Sequence, residues 1–350
     1  MKVAVINGQV PFVWGGAEEM AVNFVREMRH RAIDAHLVRI PMRWEPPARL
    51  ATEMQISQML DLDHYDVVIG SKFPNYGIQH RNMRIWLVHQ YRQAYDLWDA
   101  GQSNIPNDAA GVALRDQIRR FDAEAFGRAK QIACISHPVS ERLSTYMGID
   151  APVNPLPVND EHLFKDCGND GYIFAGGRIN GAKRQAMIID AMAHVRSSVK
   201  LIIAGPPESE ADVTALMSKV ESLDLKDRVK LDFGFLPRET IANYVNNALA
   251  CAYIPFLEDS YGYVTVEAYL SSKPVITTND AGGVLEIVKH GVTGCVVSPD
   301  PKSLADAFDD MFTNVQAART MGSAGREAWR SLGFNWDNSI ATILGLESCR

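Results

Sequence analysis

A chain of 350 residues with 47% hydrophobic and 22% charged residues has the make-up of an ordinary globular protein of roughly two domains. It carries enough apolar material for two cores, so neither a disulfide nor a metal is needed as a staple. The net charge of −7 argues against nucleic acid as a partner, because phosphate binding favours a basic surface.

The chain opens with MKVAVINGQV, an apolar run too short for a signal-peptide core and patterned as a first strand. Nowhere does it reach the uninterrupted stretch of about 20 apolar residues that a membrane span needs. Cys134, Cys251 and Cys295 lie in apolar runs as small core residues, and neither they nor Cys167 and Cys349 form a CxxC pair. This pattern suits a reducing compartment, and the protein is expected to be soluble and cytoplasmic.

Short apolar runs then alternate with helix-length amphipathic segments. The first half carries KVAVIN (2–7), AHLVRI (35–40), YDVVIG (65–70), RIWLVHQ (84–90) and QIACIS (131–136). The second half carries YIFAGG (172–177), VKLIIAG (199–205), VKLDFGF (229–235), LACAYIPF (249–256), PVITTN (274–279) and GCVVSP (294–299). Continuous Val/Ile-rich runs mark strands buried on both faces of a parallel sheet. Between them, segments such as AEEMAVNFVREMRHR repeat apolar residues every four positions (Met20, Phe24, Met28) and predict helices. The alternation predicts an α/β fold with two Rossmann-like parallel-sheet domains, broken at the proline-rich APVNPLPVND (151–160). Ligands of such sheets sit outside the carboxyl ends of the strands.

Four segments fall there. Ala175-Gly176-Gly177-Arg178, followed by Lys183-Arg184, combines a glycine pair with two cations, and the helix expected after Asn180 would offer amides to a phosphate. Arg178 would supply a bidentate fork and Lys183 a point charge, though a strand end with surface cations reads the same way. In LEDSYGYVTVEAYL, Glu258 and Asp259 precede Gly262, Tyr263 and Val264 at a helix start, and Glu267 lies eight residues after Asp259. Acidic residues near a helix start are favoured by its dipole, but Glu267 lies deeper, in an apolar context where a carboxylate needs a partner. Trp14-Gly15-Gly16-Ala17-Glu18 is not GxGxxG, so a dinucleotide reading is weak. His89 ends a strand on the ligand side, where a lone histidine is more often structural, with Tyr91, Tyr95 and Trp98 nearby to stack on sugar or simply pack a loop.

Two further features carry less weight. Asp61-Leu62-Asp63 has the DxD form that can hold a divalent metal, yet it precedes its strand, at the wrong end for a ligand. Arg26, Arg29, Arg31, Arg39, Arg43 and Arg49, with Trp44, could rest against an anionic inner membrane face. Glu27, Asp34 and Glu45 dilute that stripe, so a solvated surface is favoured.

Taken in order, GGAE, VHQ, ISHPVSERL, GGRINGAKR, IIAGPPE, FGFLPRETIANYVNNA, EDSYGYVTVEA and NDAGGVLEIVKHGVTG resemble the family-4 glycosyltransferases of the GT-B fold over nearly the whole chain. The resemblance implies two Rossmann-like domains facing across a cleft. Residues 1–155 would form the acceptor side, closed by a crossing helix at 335–350 (FNWDNSIATIL), and 156–334 the nucleotide-sugar side. It implies a retaining hexosyltransferase that needs no metal or other cofactor, acting on a nucleotide sugar and a glycan or lipid-linked glycan acceptor. Arg178 and Lys183 would then bind the diphosphate, Glu267 the ribose, and Phe235 and Leu236 would border the base. Gly16 and Gly177 would approach the donor's phosphates, and His89 would lie beside the sugar. Spacing selects Asp259 for the donor sugar, whereas residue type selects Glu258. A sugar-nucleotide 2-epimerase and a non-catalytic partner subunit of the same architecture are the rival readings.

Overall fold

The computed structural model describes residues 1–346. Each of the eleven apolar runs is a strand. In the first unit β1 (Lys2–Gln9), β2 (Asp34–Pro41), β3 (Val67–Lys72), β4 (Met83–His89) and β5 (Gln131–Cys134) alternate with α1 (Gly16–His30), α2 (Leu50–Gln58), α3 (Asp96–Asp99), α4 (Ala109–Arg128) and α5 (His137–Met147). The second unit holds β6 (Tyr172–Gly176), β7 (Lys200–Gly205), β8 (Val229–Phe233), β9 (Ala250–Ala252), β10 (Val275–Thr278) and β11 (Gly294–Val297). Its helices are α6 (Gln185–Met192), α7 (Glu210–Ser222), α8 (Arg238–Asn246), α9 (Tyr263–Leu270), α10 (Pro301–Thr313) and α11 (Val315–Ser331), and α12 (Trp336–Leu344) follows. The units comprise Met1–Pro157 with the chain from Phe334, and Val158–Gly333.

Every strand pairing is parallel. That is why β3, β6 and β10 are buried along their whole length: helices cover both faces, so the strands are mostly apolar, with Lys72 at the end of β3 as the charged exception. The first sheet has the order β2-β1-β3-β4-β5, the second β11-β10-β9-β6-β7-β8. Strand order therefore reverses between β1 and β3 in one sheet and between β6 and β9 in the other. Crossovers leaving neighbouring strands in opposite directions open a crevice at such a reversal.

In the first unit the reversal is closed by a buried ion pair. Lys72 at the end of β3 donates to Glu18 at 2.5 Å, and the other Glu18 oxygen accepts from the Gly15 amide, capping α1. Both side chains are nearly inaccessible. The helix α12 docks on this unit, where Trp336 packs between Phe24 and Trp86 and Arg84 donates to the Ile343 carbonyl at 3.0 Å. Residues 347–350 of the helix expected at 335–350, Cys349 included, lie outside the described residues.

The arginine stripe is broken up. Arg31 is tied to Glu27 and Asp337, Arg29 donates to the Ala35 carbonyl, and Arg39 lies over Trp14. Trp44 stacks on Tyr91 at 5.8 Å, held by its own unit's aromatic cluster. Asp61 and Asp63 are exposed ahead of β3, their local turn closed by the Asp63 amide on Asp61. Among the described residues no helix is long and apolar enough to cross a membrane.

Asp122 of α4 is fully buried and accepts from the hydroxyls of Tyr76 (2.8 Å) and Tyr95 (2.7 Å). Burial outweighs those hydrogen bonds and pushes its carboxyl up to about 7. Between pH 4 and 7 the folded chain then keeps a proton that the unfolded chain has lost, so this group lowers stability as pH rises and adds no slope above 7. The stability of Asp122→Asn relative to the parent should accordingly climb by about 4 kcal/mol from pH 4 to pH 8. Urea unfolding at both pH values measures this, and a difference independent of pH contradicts it.

Candidate active site

The carboxyl-end loops of the second sheet meet at its reversal. The loop after β6 does not run into a helix at Asn180 as expected. The Asn180 side chain accepts from the Lys183 amide at 3.1 Å and closes a single tight turn, Gly181–Lys183. Arg184 follows at φ +55°, and α6 opens only at Gln185. The Lys183 amide is thereby used within the turn, while its ammonium is directed elsewhere.

That ammonium reaches across to the loop after β9. It donates to the hydroxyl of Tyr253 at 2.9 Å and pairs with Glu258, while the Tyr253 hydroxyl also donates to Glu258 at 3.2 Å. Tyr253 is buried, and burial, then the Glu258 charge, hold its hydroxyl protonated far above ordinary pH. Lys183 and Glu258 retain 16% and 24% side-chain exposure, so the pair faces a surface that a ligand can enter. Arg178 is half-buried on the same loop, close enough to Tyr253 to oppose the rise in its pKa.

Two glycines permit this approach. At Gly262 (φ +70°) a Cβ would stand 2.4 Å from the Tyr253 ring. At Gly205 (φ +146°) it would stand 2.1 Å from the Gly177 carbonyl. Any side chain there pushes the loops apart. Helix α9 starts directly after Gly262, so Tyr263 and Val264 belong to its first turn, in which the Thr265 amide donates to the Gly262 carbonyl at 3.2 Å. Val264 packs on the Gly176–Gly177 pair.

Glu267 lies one turn further along α9, with its side chain 5% exposed. Its partner is Arg238, which donates at 2.5 Å from the first turn of α8 and lies 4.7 Å over the Phe164 ring. Phe235, 66% exposed, and half-buried Leu236 occupy the loop just before Arg238.

The structure thus gathers Lys183, Glu258 and Gly262 around Tyr253 with Arg178 close by, sets Val264 against Gly176 and Gly177, and places Glu267 with Arg238. Asp259 is half-buried in the following position. Gly16 and His89 belong to the first unit: Gly16 opens α1 beside the Glu18–Lys72 pair, and His89 ends β4 with Nδ1 donating to the Gln90 carbonyl at 3.0 Å. Tyr253, Arg238, Lys72 and Asp280 were not singled out from the sequence. Arg238 alone left a local signal, a cation directly after a proline at a helix start, in a chain that had to supply a partner for Glu267.

Residues 165–328 match the family model described as Glycosyl transferases group 1. An uncharacterized glycosyltransferase, MJ1178 of Methanocaldococcus jannaschii, is 26% identical over 66% of this chain and 64% of its own. The D-inositol 3-phosphate glycosyltransferase of Mycobacterium marinum is 28% identical over 80% of this chain and 63% of its own. The chain therefore spans less than two thirds of the length of either curated relative. Among solved structures, Anabaena Alr3699/HepE in complex with UDP and glucose superposes with a TM-score of 0.73 at 19% identity, covering 99% of this chain and 98% of that one. The chain thus has the two parallel-sheet units of the GT-B fold, and the second of them carries the segment that is similar to the group 1 glycosyltransferases.

Proposed function

We propose that the chain is a retaining glycosyltransferase moving a hexose from a nucleoside-diphosphate sugar to a glycan or lipid-linked glycan. The observation that carries the reading is the Lys183–Tyr253–Glu258 cluster, an ammonium and a carboxylate held half-exposed at the strand-order reversal of the matched unit. Relatives that bear the glycosyltransferase name, and a fold neighbour that holds UDP and glucose, support it.

In this reading the glycosidic C1–O bond to the β-phosphate breaks as a C1–O bond to the acceptor forms on the same face of the sugar. The acceptor's hydroxyl proton passes to an oxygen of the departing phosphate, so the leaving group serves as base. Charge builds on the diphosphate, and Lys183, Arg178 and the first-turn amides of α9 oppose it in the transition state. Before the donor binds, Lys183 is held by Glu258, and a sugar hydroxyl arriving at that carboxylate frees the ammonium for the phosphates. Glu267, oriented by Arg238, accepts from the ribose hydroxyls, and Phe235 and Leu236 border the base. The cationic groups take the part that a divalent metal plays in other transferases, so no metal is required. His89 orients substrate and does not act as a base.

Replacing Lys183 by Ala should lower kcat/KM about a hundredfold, equivalent to roughly 3 kcal/mol of transition-state stabilisation. Steady-state rates at saturating acceptor check this, and a change below threefold contradicts the role. Proton NMR of product formed in excess EDTA should show the donor's anomeric configuration retained. An inverted product, or no turnover until divalent metal is restored, contradicts the mechanism.

A further inference from the structure

Beside Lys183 stands a residue whose backbone is held where side-chain-bearing residues seldom sit. Arg184 has φ +55° and ψ +32°, the left-handed region that favours glycine. What holds it there is tertiary. Its guanidinium donates twice to Asp280, Nη1 to Oδ1 at 3.0 Å and Nη2 to Oδ2 at 2.7 Å, and its Cζ lies 4.8 Å over the Phe256 ring. Burial would raise the Asp280 carboxyl, but the Arg184 fork holds it below the usual carboxylate range.

These contacts join three loops. Arg184 leaves the turn after β6, Phe256 belongs to the loop after β9, and Asp280 to the loop after β10. The backbone repeats the connection: the Phe256 amide donates to Ala182, and the Leu257 amide to Asp280, each at 2.9 Å. Lys183 is the last residue of the turn and Arg184 the first beyond it, so the direction of the Lys183 side chain depends on the twist at Arg184. A two-point planar pair fixes orientation, which a single point charge does not.

We propose that Arg184 is a positioning residue, whose fork on Asp280 holds the β6 turn in the twist that aims Lys183 at the diphosphate of the nucleotide. The proposal rests on the nucleotide-sugar reading above and adds to it a residue that touches no substrate.

The test is isothermal titration of the full chain with UDP and UMP, with GDP and GMP, and ADP and AMP, run beside them. Arg184→Gly removes the fork while glycine accepts the backbone angle, so the variant should fold. Its affinity for the diphosphate should fall about tenfold and that for the monophosphate should not change, because Lys183 serves the terminal phosphate. Arg184→Lys, which keeps the charge without the fork, should lose as much. The exchange Arg184→Asp with Asp280→Arg rebuilds the pair and should recover most of the loss. Wild-type diphosphate affinity in Arg184→Gly or Arg184→Lys overturns the proposal, and so does an equal loss for diphosphate and monophosphate. A parent chain that binds none of the diphosphates, or whose Lys183→Ala variant binds UDP undiminished, sinks the nucleotide reading itself and the positioning role with it.

Discussion

An ammonium and a carboxylate 75 residues apart meet at one tyrosine hydroxyl because strand order reverses between β6 and β9. The crossover from β6 turns one way and that from β9 the other, so their first loops are left side by side at the carboxyl edge. Every feature of the candidate site follows from that proximity. Gly262 and Gly205 must lack side chains for the loops to close, and Tyr253 must be buried to stand between them. Asp280 must reach back from the next loop to hold Arg184 in its twist. Charges on such converging loops need partners while no ligand is bound, since a half-buried unpaired ion is costly. The pairs Lys183–Glu258 and Arg238–Glu267 meet that need.

The first unit solves a similar problem without leaving a surface for exchange. At its own reversal Lys72 and Glu18 neutralise each other with side-chain exposures of 7% and 9%. Asp122, deeper still, is kept neutral up to about pH 7 by burial and serves two tyrosine hydroxyls. Its buried charges read as structural ones. In the second unit Lys183 and Glu258 keep 16% and 24% side-chain exposure, whereas Glu267 is as enclosed as the first unit's pair.

The strands are legible from sequence because a parallel sheet covered on both faces favours Val/Ile-rich runs, and the edge strands β2 and β8 keep an apolar run despite His36, Arg39, Lys230 and Asp232. The helix start at Gly262 and the depth of Glu267 could be read for the same local reasons. The turn at Gly181–Lys183 could not, since three residues carry no periodicity and the Asn180 cap that closes them also suits a helix start. Tyr253 sat inside an apolar run and read as strand, and only tertiary contact reveals what its hydroxyl does. Arg238 and Asp280 find their partners 29 and 96 residues away, at separations where spacing carries no signal. Glu267 announced that it needed a partner, but not which.

The central claim is that the second unit is a nucleoside-diphosphate site, and a thermal-shift screen with UDP, GDP, ADP, CMP and dTDP, with and without Mg²⁺, tests it most directly. At a hundred times its dissociation constant a ligand stabilises the fold by about 2.7 kcal/mol, a rise of several degrees for a protein of this size. The account predicts that one diphosphate gives that rise without metal, and that Glu267→Ala abolishes it. No rise with any of the five, or a rise that appears only with Mg²⁺, would contradict it.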